Sequence, residues 1–179
     1  MKYYLKLTLI LLIFCAVASG ILAYVNSLTE PVIKERKAKE EVATRSELIP
    51  DADFVQAKLA DGSPYFIAIS TATKDTLGYT FIAAKNGYSS KVQTMVGVDK
   101  DMKVLKIKVI SQAETPGLGA NCTNESFVAQ FKGLGESDLL VDKDGGKVKS
   151  LSGATITTRT ITNSIAEQIA ALKASLGGK

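Results

Sequence analysis

Nineteen residues from Leu7 to Val25, LTLILLIFCAVASGILAYV, carry no charge and are interrupted in apolar character only by Thr8, Ser19 and Gly20. At about 1.5 Å of rise per residue, a helix of this length covers the ~30 Å hydrocarbon core of a bilayer. A cleaved signal peptide has the same opening, since Lys2 and Lys6 make a basic n-region and Ala16-Val17-Ala18 offers small residues for cleavage. Apolar character resumes at Ile21 to Val25, beyond that site, as an uncleaved span requires, so the anchor is favoured. Ile13 and Phe14 before Cys15 are too bulky for a lipoprotein signal. Orientation does not follow from charge, because Lys34, Arg36, Lys37 and Lys39 beyond the span oppose Lys2 and Lys6.

The anchor occupies residues 1–25, a charged stalk 26–50 and a single folded domain 51–179. Thr29 and Pro31 suit the start of the stalk helix, which ends before Pro50. Lys2 and Lys6 are the only charges before Glu30, so the remainder carries 20 basic and 18 acidic side chains and gives no electrostatic case for nucleic acid. There is no histidine, which removes imidazole metal sites and His-activated nucleophiles and leaves a cofactor as the simplest source of chemistry. Cys15 and Cys122 lie in different segments and form no structural disulfide; Cys122 reads as a packing residue.

Within the domain, five β-rich runs alternate with turns: Phe54 to Leu59, Tyr65 to Thr71, Leu77 to Lys85, Tyr88 to Val98 and Lys103 to Ser111. Asp61-Gly62, Asn86-Gly87 and Asp99-Lys100-Asp101 punctuate them, predicting a largely antiparallel sheet. Lys103, Lys106 and Lys108 alternate with apolar residues as a strand with one solvated face should. Asn124 is placed to cap a short helix through Phe127, Val128 and Phe131 that stops at Gly133. Ile161, Ile165, Ile169, Leu172 and Leu176 form one stripe of an amphipathic helix over Thr158 to Leu176. The fold class is α+β: a mostly antiparallel sheet packed with helices, preceded by one N-terminal transmembrane helix.

Two segments carry candidate chemistry. Leu151-Ser152-Gly153-Ala154-Thr155-Ile156-Thr157-Thr158 joins the Asp144-Gly145-Gly146 turn to the last helix. Unpaired N–H groups at a helix start, a glycine and several hydroxyls suit a phosphate, and they equally suit an ordinary Ser/Thr cap. Glu114-Thr115-Pro116-Gly117-Leu118-Gly119 follows the fifth strand; it allows a flat ligand close to the backbone, and read alone it is a tight turn.

Taken together, Ser-Gly-Ala-Thr-Ile-Thr before an amphipathic helix, Glu-Thr-Pro-Gly-Leu-Gly upstream and a single anchor resemble the covalent FMN-binding domain family over nearly the whole chain. Within it the chain looks most like the RnfG-type subunits of the Rnf complex, the ferredoxin:NAD oxidoreductase that translocates Na⁺ or H⁺. It is also similar to the C-type subunits of Na⁺-translocating NADH:quinone reductase, which tend to be longer.

The resemblance implies that Thr155 carries FMN through a phosphoester, as an attachment point and not a catalytic group. It also implies Ser152, Gly153, Ala154 and Thr157 at the phosphate end, with Glu114, Thr115, Gly117 and Leu118 towards the isoalloxazine ring and no metal. A flavin transferase using FAD and Mg²⁺ would make the bond. The implied partners are the other membrane and iron-sulfur subunits of the Rnf complex and the lipid bilayer. The implied place is the inner cell membrane, single-pass, with the flavin domain outside the cytoplasm. The implied role is electron relay within an ion-translocating oxidoreductase, without turnover of its own. Lys149 stands where many relatives have an acid, three positions before Ser152. A non-enzymatic anchored surface module, in which both motifs are only turns and caps, is the alternative from another class.

Overall fold

Strong apolar character with few turn residues favours one long helix at the start of the chain, and period-two alternation favours strands after Pro50. A computed structural model describes residues 1–59 and 61–177 and divides the chain into two compact units, Met1–Ala43 and Thr44 onward.

Helix α1 runs without a break over Lys2–Leu48, with Pro31 inside it. Sequence reading expected a second helix to begin at Thr29. Instead the helix absorbs Pro31, whose missing N–H and ring clash cost about 3 kcal/mol in an interior turn. Strong helix formers on both sides and the Glu30–Lys34 and Glu35–Lys39 pairs at i,i+4 spacing act against that penalty. Leu9, Leu11, Phe14 and Leu22 are each more than half exposed, so the segment presents apolar side chains all round. Its most apolar 18-residue window has a mean hydropathy of 2.5, long and apolar enough to cross a membrane.

In the second unit, five strands form one antiparallel sheet whose spatial order is the chain order: β1 Ala52–Lys58, β2 Pro64–Ser70, β3 Thr76–Asn86, β4 Lys91–Asp99 and β5 Val104–Ser111. Each lies within three residues of its expected bounds. The largest difference is at β4, because Tyr88 belongs to a loop. Asn86 pairs with Lys91, leaving residues 87–90 outside the ladder, and Gly87 N–H donates to Ser90 O at 2.7 Å. The Asn-Gly pair therefore opens a four-residue loop and not the two-residue turn it usually signals.

One sheet face carries Tyr79, Phe81, Val92, Val96 and Ile107 and packs against α3, Thr155–Gly177, through Ile161, Ile165, Ile169 and Leu172. Each of those four helical side chains is at most 1% exposed, worth roughly 1.5–3 kcal/mol of transfer energy apiece. Leu176, expected in the same stripe, is only partly buried. The helix begins three residues earlier than its apolar period suggested, at Thr155. Between β5 and α3 lie 3₁₀ turns and α2, Glu125–Val128, which tightens into a 3₁₀ turn over Ala129–Phe131. Asn124 stands at the N-cap of α2, but its side chain makes no capping bond.

The opposite face holds Ala68 and Met95 under Leu48 and Ile49. Lys106 and Lys108, expected to be simply solvated, both reach Glu47 at 2.8 and 2.5 Å. Their ammonium groups hold the Glu47 carboxyl down to about 2.

Candidate functional site

The start of α3 is fastened before it presents anything. Ala154 N–H donates to Leu151 O at 3.0 Å and Gly153 takes φ +70, closing a turn that only glycine enters freely. A Cβ at Gly153 would also lie 2.9 Å from Leu118 Cδ2, so this position keeps two loops in contact. Leu151 N–H donates to Thr158 Oγ1 at 3.1 Å, and the Thr158 hydroxyl donates to Ala154 O at 3.1 Å. The first i→i−4 bond of the helix is Thr158 N–H to Ala154 O, which leaves the N–H groups of Thr155, Ile156 and Thr157 open at its positive end.

The three threonines of this run meet different fates. Thr157 is 1% exposed and donates its hydroxyl to Glu114 Oε2 at 2.7 Å. Thr158 is fully buried in the bond just described. Thr155 is half-buried, and its Oγ1 accepts a bond from Lys143 Nζ at 2.9 Å.

Glu114 ties three distant segments together. Besides Thr157, it accepts from the N–H of Tyr88, Ser89 and Ser90 at 3.2, 3.0 and 2.9 Å and from Ser90 Oγ at 3.1 Å. It is 5% exposed. Burial alone pushes its carboxyl up, yet the bonds from Thr157 and the loop N–H groups prevail and hold it below the ordinary carboxylate value. Gly119 belongs to this knot, since a Cβ there would lie 2.8 Å from Thr157 Oγ1.

Around these groups lies a cavity of about 440 Å³ lined by Tyr88, Glu114, Thr115, Leu118, Gly119, Lys143 and Gly153 to Thr157. The volume is that of a small-molecule site. Of the residues expected from sequence, Glu114, Thr115, Leu118, Gly153, Ala154, Thr155 and Thr157 meet here; Ser152 and Gly117 are exposed and do not line it. Thr157 takes a different place from the one expected, because its hydroxyl is committed to Glu114. Tyr88, Lys143 and Ile156 were not anticipated. Tyr88, Leu118 and Ile156 are 72%, 43% and 51% exposed, giving the mouth an apolar rim suited to a flat ring. Lys149 is exposed outside the lining, and its N–H donates to Gln130 Oε1.

Cys122 is fully buried, and burial followed by the charge of Glu114 pushes its thiol up to about 11, which makes it inert packing.

Comparison with known proteins identifies the family. The FMN-binding domain family matches residues 87–170, and the RnfG N-terminal region matches residues 2–48. The G subunit of the proton-translocating ferredoxin:NAD(+) oxidoreductase complex of Clostridium ljungdahlii is 33% identical, over 94% of this chain and 91% of its own. The G subunit of the Na(+)-translocating ferredoxin:NAD(+) oxidoreductase complex of Acetobacterium woodii is 28% identical, over 92% and 89%. Among solved structures, the C subunit of Na(+)-translocating NADH-quinone reductase from Parabacteroides distasonis superposes with a TM-score of 0.54 at 21% identity, covering 74% of this chain and 80% of that one. That similarity speaks to fold alone.

Proposed function

The chain belongs to the RnfG family, the G subunits of ion-translocating oxidoreductase complexes, and from that premise we propose that it relays electrons through FMN joined to Thr155 by a phosphoester. The observation that carries the choice of residue is the contrast among the hydroxyls. Thr155 opens into the cavity on the first turn of α3, whereas Thr157 and Thr158 are buried and already bonded. Thr157 also sits against an ionised carboxylate, which would repel a phosphate.

The residues present fit the group. Open N–H groups at the start of α3 would receive its phosphate, Gly153 lets the chain approach closely, and the rim of Tyr88, Leu118 and Ile156 would cover the ring and exclude water from one side of it. When bound, FMN supplies reversible electron uptake and release, and the protein's share is position and electrostatics. Glu114 and its partners hold the β3–β4 loop against α3, and so set how far apart the walls of the cavity stand.

In this reading α1 crosses the inner membrane once, the flavin domain lies outside the cytoplasm, and the partners are the other subunits of a ferredoxin:NAD⁺ oxidoreductase that moves Na⁺ or H⁺. Both coupling ions occur among the relatives. A separate flavin transferase, using FAD and Mg²⁺, would load the chain. A tether suits a face on which lost cofactor is not replaced.

The test is co-expression of the full chain with a flavin transferase, denaturation, and in-gel flavin fluorescence with intact mass. Thr155→Ala is expected to lose the added FMN while Thr157→Ala keeps it. FMN retained by Thr155→Ala would refute the assignment.

A further inference from the structure

Among the described residues, Lys143 is the one cation in the cavity lining, and the choice of Thr155 made above does not depend on it. Its Nζ lies 2.9 Å from Thr155 Oγ1 although the two residues are 12 apart in the chain, so a specific local fold brings them together.

That fold is a clip. Asp142 to Asp144 form a 3₁₀ turn, ended by Gly145 at φ +81, inside a bridge that pairs Val141 with Val148. Both flanking acids are used to pin it. Asp142 accepts from Ser150 N–H at 3.1 Å and from the Ser150 hydroxyl. Asp144 takes a two-pronged bond from Arg159 on α3, at 2.7 and 2.6 Å. One pin holds the segment that enters the helix and the other holds the helix itself. Lys143, between them, is aimed at the first helical residue. Asp144 is taken by Arg159 and Asp142 by hydroxyl and N–H donors, so the side-chain hydrogen bond of the Lys143 ammonium goes to Thr155.

We propose that Lys143 is the positioning cation for phosphoester formation at Thr155, an inference that rests on Thr155 being the attachment hydroxyl. In that reaction the bond from Thr155 Oγ1 to the flavin-side phosphorus of FAD forms, and the bond from that phosphorus to the bridging oxygen breaks. AMP leaves with that oxygen, and the hydroxyl proton is released to solvent or to the transferase. No oxidation or reduction occurs. Lys143 donates to Oγ1, so it fixes the rotamer of Thr155 and leaves a lone pair and the hydroxyl proton free. It is not the base. As the phosphoryl group arrives, negative charge builds on its non-bridging oxygens, two bonds from the Oγ1 that the ammonium already touches, where the same ammonium can make a charge-assisted bond. The same ammonium then neutralises the finished phosphodiester.

The structure separates this role from a merely structural one, because the two acids, and not Lys143, hold the clip. Initial rates of FMN addition, followed by intact mass with purified transferase and FAD on the full chain, are compared for wild type, Lys143→Gln, Lys143→Arg and Thr155→Ala. Loss of one charge-assisted bond in the transition state predicts a roughly ten- to hundred-fold fall in turnover for Lys143→Gln. The KM for FAD should be unchanged, and Lys143→Arg should recover to within a few-fold. Lys143→Gln loaded as fast as wild type, with Thr155→Ala unloaded, overturns the role of Lys143 and leaves the attachment residue standing. A slow Lys143→Arg also overturns it, since charge is then not what matters. A wild-type chain that takes no FMN removes the reading beneath it.

Discussion

Replacing Glu114 tests whether one buried carboxylate holds the cavity together. In Glu114→Ala the Thr157 hydroxyl, 1% exposed in the native structure, loses its acceptor, which costs about 1–3 kcal/mol. The bonds from Ser89, Ser90 and Tyr88 are charge-assisted, but these donors lie in an exposed or half-exposed loop and regain water, so they add less than their full value. The sum is roughly 3–5 kcal/mol, close to what breaking one side of a buried charged pair costs. Glu114→Gln keeps the shape. Its carbonyl can take the three donors now at Oε1, and Thr157 can turn to accept from the new amide, leaving the Tyr88 N–H opposed and a loss of about 1–2 kcal/mol. Urea unfolding of the full chain in detergent measures both, and hydrogen exchange at Ser89 and Ser90 reports the local opening.

The pH dependence of Glu114 follows from its lowered folded value. The stabilisation is complete above the unfolded value of 4.5 and drains away as pH falls through the lower folded one, so the gap between wild type and Glu114→Gln should narrow in acid. Two variants indistinguishable from wild type, or a gap that widens in acid, would refute the account.

Gly119→Ala puts a Cβ 2.8 Å from Thr157 Oγ1 and 2.9 Å from Glu114 Cβ, so it should lower stability by about 1–3 kcal/mol and weaken the same loop protection, read by the same exchange experiment. Glu47→Gln removes partners from Lys106 and Lys108. Because these groups are nearly half exposed, the loss should stay below about 1 kcal/mol at neutral pH, shrink in high salt, and vanish as pH drops from 4.5 through about 2, where the wild-type carboxyl protonates. Unfolding at two salt concentrations checks it.

What the sequence made legible was mainly local. Alternation located five strands to within three residues, and the four-three spacing of Ile161, Ile165, Ile169 and Leu172 identified the buried face of α3. Misreadings arose where two local signals competed or a distant partner decided. Pro31 is a start signal only if the preceding run stops, and an apolar helix with strong formers after it does not stop. Asn86-Gly87 signals a tight hairpin, but here the loop is shaped by a carboxylate 26 residues away. In the site, the small and hydroxylated run around Thr155 was visible as an anion-friendly helix start. Which hydroxyl stays open was not, because Thr157 is occupied by Glu114 across 43 residues and Lys143 reaches Thr155 through a turn with no distinctive spacing. Lys106 and Lys108 looked solvated for the same reason: Glu47 lies about 60 residues earlier.

The spatial order of the sheet repeats the chain order, so each hairpin can pair as soon as it is made, with short loops to close. The cavity has the opposite character, because its walls meet only when residue 157 reaches residue 114 and residue 114 has gathered 88 to 90. Its walls therefore rest on long-range contacts, which demand more loop closure than the hairpins do. A chain stalled with its sheet complete but α3 undocked would present Thr155 on an unformed helix, without the lysine clip over it. Attachment of a cofactor there would act as an inspection stamp, given to molecules whose last helix has seated and withheld from those whose sheet alone has formed.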